Sequence, residues 1–217
     1  MAFPGAVAEA APTTRRERRK AEVRNRILEA ASELFEVNGF HATTVAEIAE
    51  RADVATKTFF NHFATKQAVV QELAHYSIAK LLDDIGTIRA QAPTARERLI
   101  IFFDQIAEAA VEAGPMHREL LTEIIHSASS APDQSVQAKV VRDAFGSIVE
   151  DGIAAGEITT EHTADTITEL IMGAFYALMF NWANLEEYPF QDQARAMARL
   201  LGDSIASPQA RASHDKE

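Results

Sequence analysis

The chain has 217 residues, 47% hydrophobic and 24% charged, a globular composition that excludes bulk disorder and fibrous repeats and fits one large domain or two small ones. Cysteine is absent, which excludes a disulfide scaffold, cysteine-ligated zinc, an iron–sulfur cluster and a thiol nucleophile, and accords with the reducing cytoplasm expected as its location. The net charge of −11 is uneven: residues 1–66 hold ten Lys and Arg against nine Asp and Glu, and the remainder eleven against 23, so only the first part suits a polyanion.

Residues 1–14 are small, Pro-containing and unpatterned, and are expected to form a disordered lead without the basic and apolar regions of a secretory signal. Arg15, Arg16, Arg18, Arg19 and Lys20 follow, broken only by Glu17. Such a run is either a solvated face or a basic arm. Val23, Ile27, Ala30, Ala31, Leu34 and Phe35 recur at helical spacing, and Gly39 supplies the positive φ at which a helix often ends. Thr44 opens the next helix, with Glu47 three residues on to complete a capping box. That helix is short and reaches about Ala52. A tight turn at Asp53 and Val54 leads to a second short helix over residues 56–63. Two short helices joined at a steep angle by such a turn make a helix-turn-helix.

Beyond Lys66 the pattern changes to long helices. Residues 68–90 give the first, and Leu99, Phe102, Phe103, Ile106 and Ala110 mark the second, stopped by Gly114 and Pro115. Residues 116–129 give a third. Val136, Val140, Ala144, Phe145 and Ile148 mark a fourth, closed by Gly152 and Gly156, residues 163–185 a fifth, and Phe190, Ala194, Met197, Leu201 and Ile205 a sixth. A disordered tail is expected over residues 207–217. No segment sustains a period of two, so the fold class is all-α: a three-helix head over residues 15–66 with its basic N-terminal arm, then a larger six-helix domain over residues 67–206. The longest apolar run, Leu170 to Phe180, is too short for a membrane span.

In the head, one short helix must present polar tips while its back is pinned to a core. Phe59 and Phe63, four apart, with Phe60 on the adjoining flank, provide the pinning, which leaves Thr56, Lys57, Thr58 and Asn61 outward; these four and Phe60 are candidate DNA contacts. Lys57 can donate to guanine, Thr58 can offer a hydroxyl or touch a thymine methyl, and Asn61 can pair with adenine. Thr44 and Lys66 both open helices, where backbone N–H groups and the dipole favour a phosphate. His62 can reach a phosphate or be structural. Arg15, Arg16, Arg18 and Arg19 add non-specific affinity and can reach the minor groove.

From Arg26 to Val70 the chain resembles the tetracycline-repressor (TetR) family of bacterial transcription regulators. The resemblance is carried by Ile27-Leu28-Glu29-Ala30-Ala31, Leu34-Phe35, Asn38-Gly39-Phe40, Thr43-Thr44-Val45, Ile48-Ala49 and the run from Thr58 to Lys66. Three positions depart from the common pattern. Asp53 replaces a turn glycine, Ala55 a capping serine, and Phe60 a tyrosine whose hydroxyl would touch a phosphate. The resemblance implies a repressor that binds double-stranded operator DNA, a homodimer built from the last two helices, and a small-molecule effector held in the second part. Phe102, Phe103, Ile106, Met116, His126, Phe145, Met172, Phe175 and Tyr176 are the candidate effector-pocket residues, each equally readable as core.

Two rival readings belong to other classes. Glu72 with His75 and Glu123 with His126 are Glu-x-x-His pairs, and with Glu108, Glu112 and Glu169 they raise a di-iron bundle enzyme. Chance supplies roughly 0.7 such pairs in a chain of this composition, so the expectation is no metal, no cofactor and no catalytic residue. The other rival is an interaction module whose head no longer binds DNA.

Overall fold

The computed structural model describes residues 14–112 and 134–214. Their helices are α1 (Arg15–Asn38), α2 (Val45–Arg51), α3 (Thr56–His62), α4 (Lys66–Gln91), α5 (Ala95–Glu112), α6 (Gln134–Ala154), α7 (Ala164–Asn184), α8 (Phe190–Ile205) and α9 (Pro208–His214). Their only extended pairing is an isolated bridge between Ile158 and Ala206. The helix expected over residues 116–129 lies outside the described residues. The chain forms two compact units, and the division falls inside α4, after Ala79.

The first unit is the head. Its core gathers Ile27, Leu28, Ala31 and Phe35 of α1, Ile48 and Ala49 of α2, Phe59 and Phe63 at α3, and Val69, Val70 and Leu73 of α4. These α4 residues explain why the unit extends past Lys66, where the sequence patterning placed its end. Each fully buried Phe or Ile contributes about 1.5 to 3 kcal/mol of hydrophobic stabilisation. The basic cluster is helical from its first residue. Thr14 caps α1, its hydroxyl accepting from the Glu17 N–H while the Glu17 carboxylate accepts from the Thr14 N–H, so the helix starts at Arg15 and the cluster forms its first turns.

Gly39 closes α1 at φ 81°, its N–H donating to the Phe35 carbonyl. The Thr43 side chain, 1% exposed, donates to the Gly39 carbonyl at 2.8 Å and so fixes the loop that enters α2. Thr44 and Glu47 form the expected capping box.

In the second unit, α5 and α8 run antiparallel, as shown by the pairs Arg195–Asp104 and Arg96–Asp203 at opposite ends. Ala194, Ala198 and Gly202 form the small-residue stripe of α8. A Cβ at Gly202 would lie 2.8 Å from Arg96 Cγ, which measures how closely the helices approach. Arg142 of α6 bonds Asp165 and Glu169 of α7. Asp151 of α6 accepts from Arg89 of α4 and Arg98 of α5. The tail expected to be disordered is helical over α9, because the Ser207 hydroxyl accepts from the Ala210 N–H and the Ser207 N–H donates to the Glu157 carbonyl.

Candidate nucleic-acid interface

The turn between α2 and α3 is set by Asp53, whose φ of 53° is the left-handed conformation that Asp tolerates without glycine. The Val54 N–H then returns to the Ala49 carbonyl at 2.9 Å. α3 begins at Ala55 with no side-chain cap, so Thr56 does not replace the missing serine. Its orientation comes from packing instead: Phe59 is fully buried, Phe63 is 3% exposed, and their ring centres are 5.9 Å apart.

With that back pinned, Thr56, Lys57 and Asn61 are exposed and Thr58 is half-buried. Phe60 meets Phe59 edge-on, with ring centres 5.5 Å apart. It is 52% exposed and stands on the outward side with the polar tips. This edge therefore carries a cation, hydroxyls, a carboxamide and one aromatic ring. It can offer donors and acceptors to base edges, and Phe60 can meet a thymine methyl or a sugar.

Arg15, Arg16, Arg18 and Arg19 are all exposed on the first turns of α1. Thr44 is exposed as well, but its hydroxyl donates to the Glu47 carboxylate at 2.7 Å, and the two Thr44 donors hold the Glu47 carboxyl below its ordinary range. Lys66 has partners within the head. Its ammonium donates to the carbonyls of Phe40 and Thr43 and lies 4.2 Å from the centre of the Phe40 ring. A phosphate would have to compete with those carbonyls, so Lys66 is a tie between α4 and the α1–α2 loop. His62 is half-buried, and its Nδ1 is buried without a hydrogen-bond partner among the described residues. Burial first, then the charges of Arg24 and Lys20, push its imidazole below the usual histidine range.

Arg24 is the residue that pattern reading missed. It bonds Glu72 of α4 and the His62 carbonyl of α3, and its guanidinium lies over the Phe63 ring. The available signal was its spacing: residues 24, 28, 31 and 35 share one stripe of α1, so a charge at the start of that stripe sits against the core edge.

Among the effector candidates, Phe102, Phe145 and Phe175 form a mutual cluster with ring centres 4.9 to 5.9 Å apart, and Phe103 joins it through Phe102. These four and Met172 are buried, and Ile106 is half-buried. Tyr176 touches the cluster at Phe175, with ring centres 5.6 Å apart. It is 44% exposed on the outer side of α7, where burial of its other side and then the Glu169 carboxylate push its hydroxyl above the ordinary range. Met116 and His126 lie outside the described residues. Of the metal-reading carboxylates, Glu72 is paired with Arg24 and Glu169 with Arg142.

Residues 27–73 match the model of the bacterial regulatory proteins, tetR family. The chain is 30% identical to the HTH-type transcriptional repressor KstR of Rhodococcus jostii (strain RHA1), over 87% of each chain. Its fold resembles that of Thermus thermophilus FadR, a TetR-family transcriptional repressor solved with lauroyl-CoA, with a TM-score of 0.63 and 24% identity over 82% of this chain and 92% of that one. It is also similar to FadR of Bacillus subtilis solved with stearoyl-CoA, with a TM-score of 0.59 and 22% identity over 83% and 98% of the two chains.

Proposed function

The chain belongs to the tetR family of bacterial regulatory proteins, and from that premise we propose that this DNA-binding regulator is a repressor, acts in the cytoplasm as a homodimer, and leaves its operator when an amphipathic acyl thioester binds its second unit. The observation that carries the DNA-binding part is the outward edge of α3, where Thr56, Lys57, Asn61 and Phe60 are presented by a helix held from behind by Phe59 and Phe63. Lys57, Thr58 and Asn61 read base edges. Arg15, Arg16, Arg18 and Arg19 add phosphate attraction, which positions without reading sequence.

Support for the dimer comes from α7 and α8. Leu170, Tyr176 and Phe180 of α7 and Leu200 of α8 are 44 to 62% exposed, with Gly173 and Ala177 on the same side. An exposed apolar face on two neighbouring helices is suited to a twofold partner, which covers both copies at once. Two heads then meet half-sites about one helical turn apart, or a multiple of it.

The effector class is supported by the buried aromatic cluster of α5, α6 and α7, and by the two FadR structures that hold acyl-CoA molecules. The test uses the duplex that the full-length protein enriches from a random library. Lauroyl-CoA and stearoyl-CoA are titrated against that complex, with free coenzyme A as the control. Release by the long-chain thioesters, about 5- to 150-fold in affinity and equal in reverse, is expected. Tight thioester binding with unchanged DNA affinity would remove the effector from the reading.

A further inference from the structure

Arg24 makes contacts in two other elements of the head at once. Its Nη2 is 2.9 Å and its Nε 3.3 Å from Oε1 of Glu72 in α4. Its Nη1 donates at 3.2 Å to the carbonyl of His62, the last residue of α3. Its guanidinium carbon lies 4.3 Å from the centre of the Phe63 ring, directly after that helix. The side chains of Arg24 and Glu72 are 33% and 26% exposed, so the group is set into the edge of the head.

A helix C-terminus leaves carbonyls that no amide within the helix reaches, and a cation there also meets the negative end of the dipole. Guanidinium is the side-chain group that can serve this acceptor and a carboxylate together, because its donors diverge in a fixed plane. We propose that Arg24 is a positioning residue for sequence recognition: one guanidinium, shared between the His62 carbonyl and the Glu72 carboxylate, sets where the end of the recognition helix stands relative to the first turns of α4. The proposal rests on the reading of α3 as the base-reading helix and adds what fixes its angle.

The consequence separates two kinds of DNA affinity. Hydrogen bonds to base edges weaken steeply outside about 2.7 to 3.2 Å, whereas attraction to the phosphate backbone falls slowly with distance. A small displacement of α3 therefore removes base preference and leaves non-specific binding. Any shift of α4's first turns against α1 must strain the Arg24 bonds, so the same residue makes base reading sensitive to α4.

The experiment uses full-length protein and the duplex it enriches from a random library, with single-base-pair variants of that duplex and an unrelated one. Arg24→Gln, Arg24→Lys, Glu72→Gln and the double variant Arg24→Gln with Glu72→Gln are assayed over a salt series, with thermal melting alongside. Arg24→Gln is expected to lose on the order of tenfold on the enriched duplex, to flatten the base preferences, and to keep wild-type affinity for the unrelated duplex and an unchanged salt slope. Arg24→Lys, which keeps the charge without the fork, is expected to restore stability and not preference. The double variant is expected to lose no more than Arg24→Gln alone, since Glu72 acts through Arg24. Equal losses on both duplexes with a salt slope shallower by about one would make Arg24 a phosphate contact and overturn the proposal. Additive losses, or wild-type preference in Arg24→Gln, would overturn it too. If Arg24→Gln does not fold, Glu72→Gln carries the test and must flatten preference in the same sense, and a wild-type profile in it is a refutation. A wild-type protein that enriches no duplex overturns the DNA-binding reading itself, and this proposal falls with it.

Discussion

The ammonium of Lys66, the first residue of α4, lies 2.6 Å from the carbonyl oxygen of Thr43 in the loop before α2. Thr43 is itself buried and bonded back to the end of α1, so one short loop is held from both sides. Lysine at a helix start reads as a phosphate contact because the helix end favours anions. Here the same charge is hydrogen-bonded by backbone carbonyls of the loop that follows Gly39.

Lys66→Ala should therefore act on stability. Loss of hydrogen bonds from a charged donor to two carbonyls is expected to cost about 1 to 3 kcal/mol in chemical denaturation. The salt dependence of DNA binding should keep its wild-type slope. A slope shallower by about one with unchanged stability would return Lys66 to the phosphate backbone.

Lys57 and Arg16 should fail in different ways. Lys57→Ala is expected to cost ~1 to 3 kcal/mol on the enriched duplex and to relax preference at one base pair. Arg16→Gln, on the exposed first turns of α1, should weaken all duplexes alike and reduce the salt slope by about one. Binding curves on matched and mismatched duplexes at two salt concentrations separate the two. Sequence-blind loss in Lys57→Ala would show that α3 reads bases through other residues.

The apolar face of α7 and α8 allows a clean test of dimerisation because its residues are exposed within one chain. Leu170→Glu and Leu200→Glu place charges where each copy is 50% and 62% exposed, so the fold should survive while an apposed pair would bury four unpaired carboxylates. Burying an unpaired charge costs several kcal/mol, enough to raise the dimer dissociation constant by on the order of a hundredfold or more. Light scattering should report a monomer with native helix content. A mass unchanged from wild type would place the twofold contact elsewhere. Met179→Glu is a poor substitute, since Met179 is 6% exposed and the charge would break the core.

What could be read from sequence was whatever a local period or a cap encodes. The Thr44–Glu47 box, the positive φ at Gly39 and Asp53, and the burial of Phe59 and Phe63 each follow from residues within four positions of one another. What could not be read lies in non-local partners. Lys66 meets carbonyls from Phe40 and Thr43, and Arg24 meets Glu72 and His62, across separations that no helical period reveals. Three aromatics in five residues exceed one helix face, and only packing decides that Phe60 is the one that turns outward. The helical start of the basic cluster follows from a local cap as well, because Thr14 to Glu17 has the same box as Thr44 to Glu47.

His62 gives the head a pH dependence whose sign can be worked out. Its imidazole is pushed below the ordinary value of 6.5 chiefly by burial, with the positive charges of Arg24 and Lys20 adding to the effect. In the unfolded chain those causes are gone, so the unfolded state takes up a proton first as the pH falls. Stability rises with pH wherever the unfolded state binds more protons. The contribution is therefore present above 6.5 and is lost as the pH drops below it, until the folded head also protonates at its lower value. Glu47, held below its ordinary 4.5, obeys the same sign in a separate, more acidic window. Denaturation midpoints measured from pH 7.5 to 5 should fall for the wild type and fall less for His62→Gln, which keeps the backbone carbonyl that Arg24 uses and removes the titration. Parallel wild-type and His62→Gln curves across that range would mean that the buried Nδ1 does not control the head's response to acid.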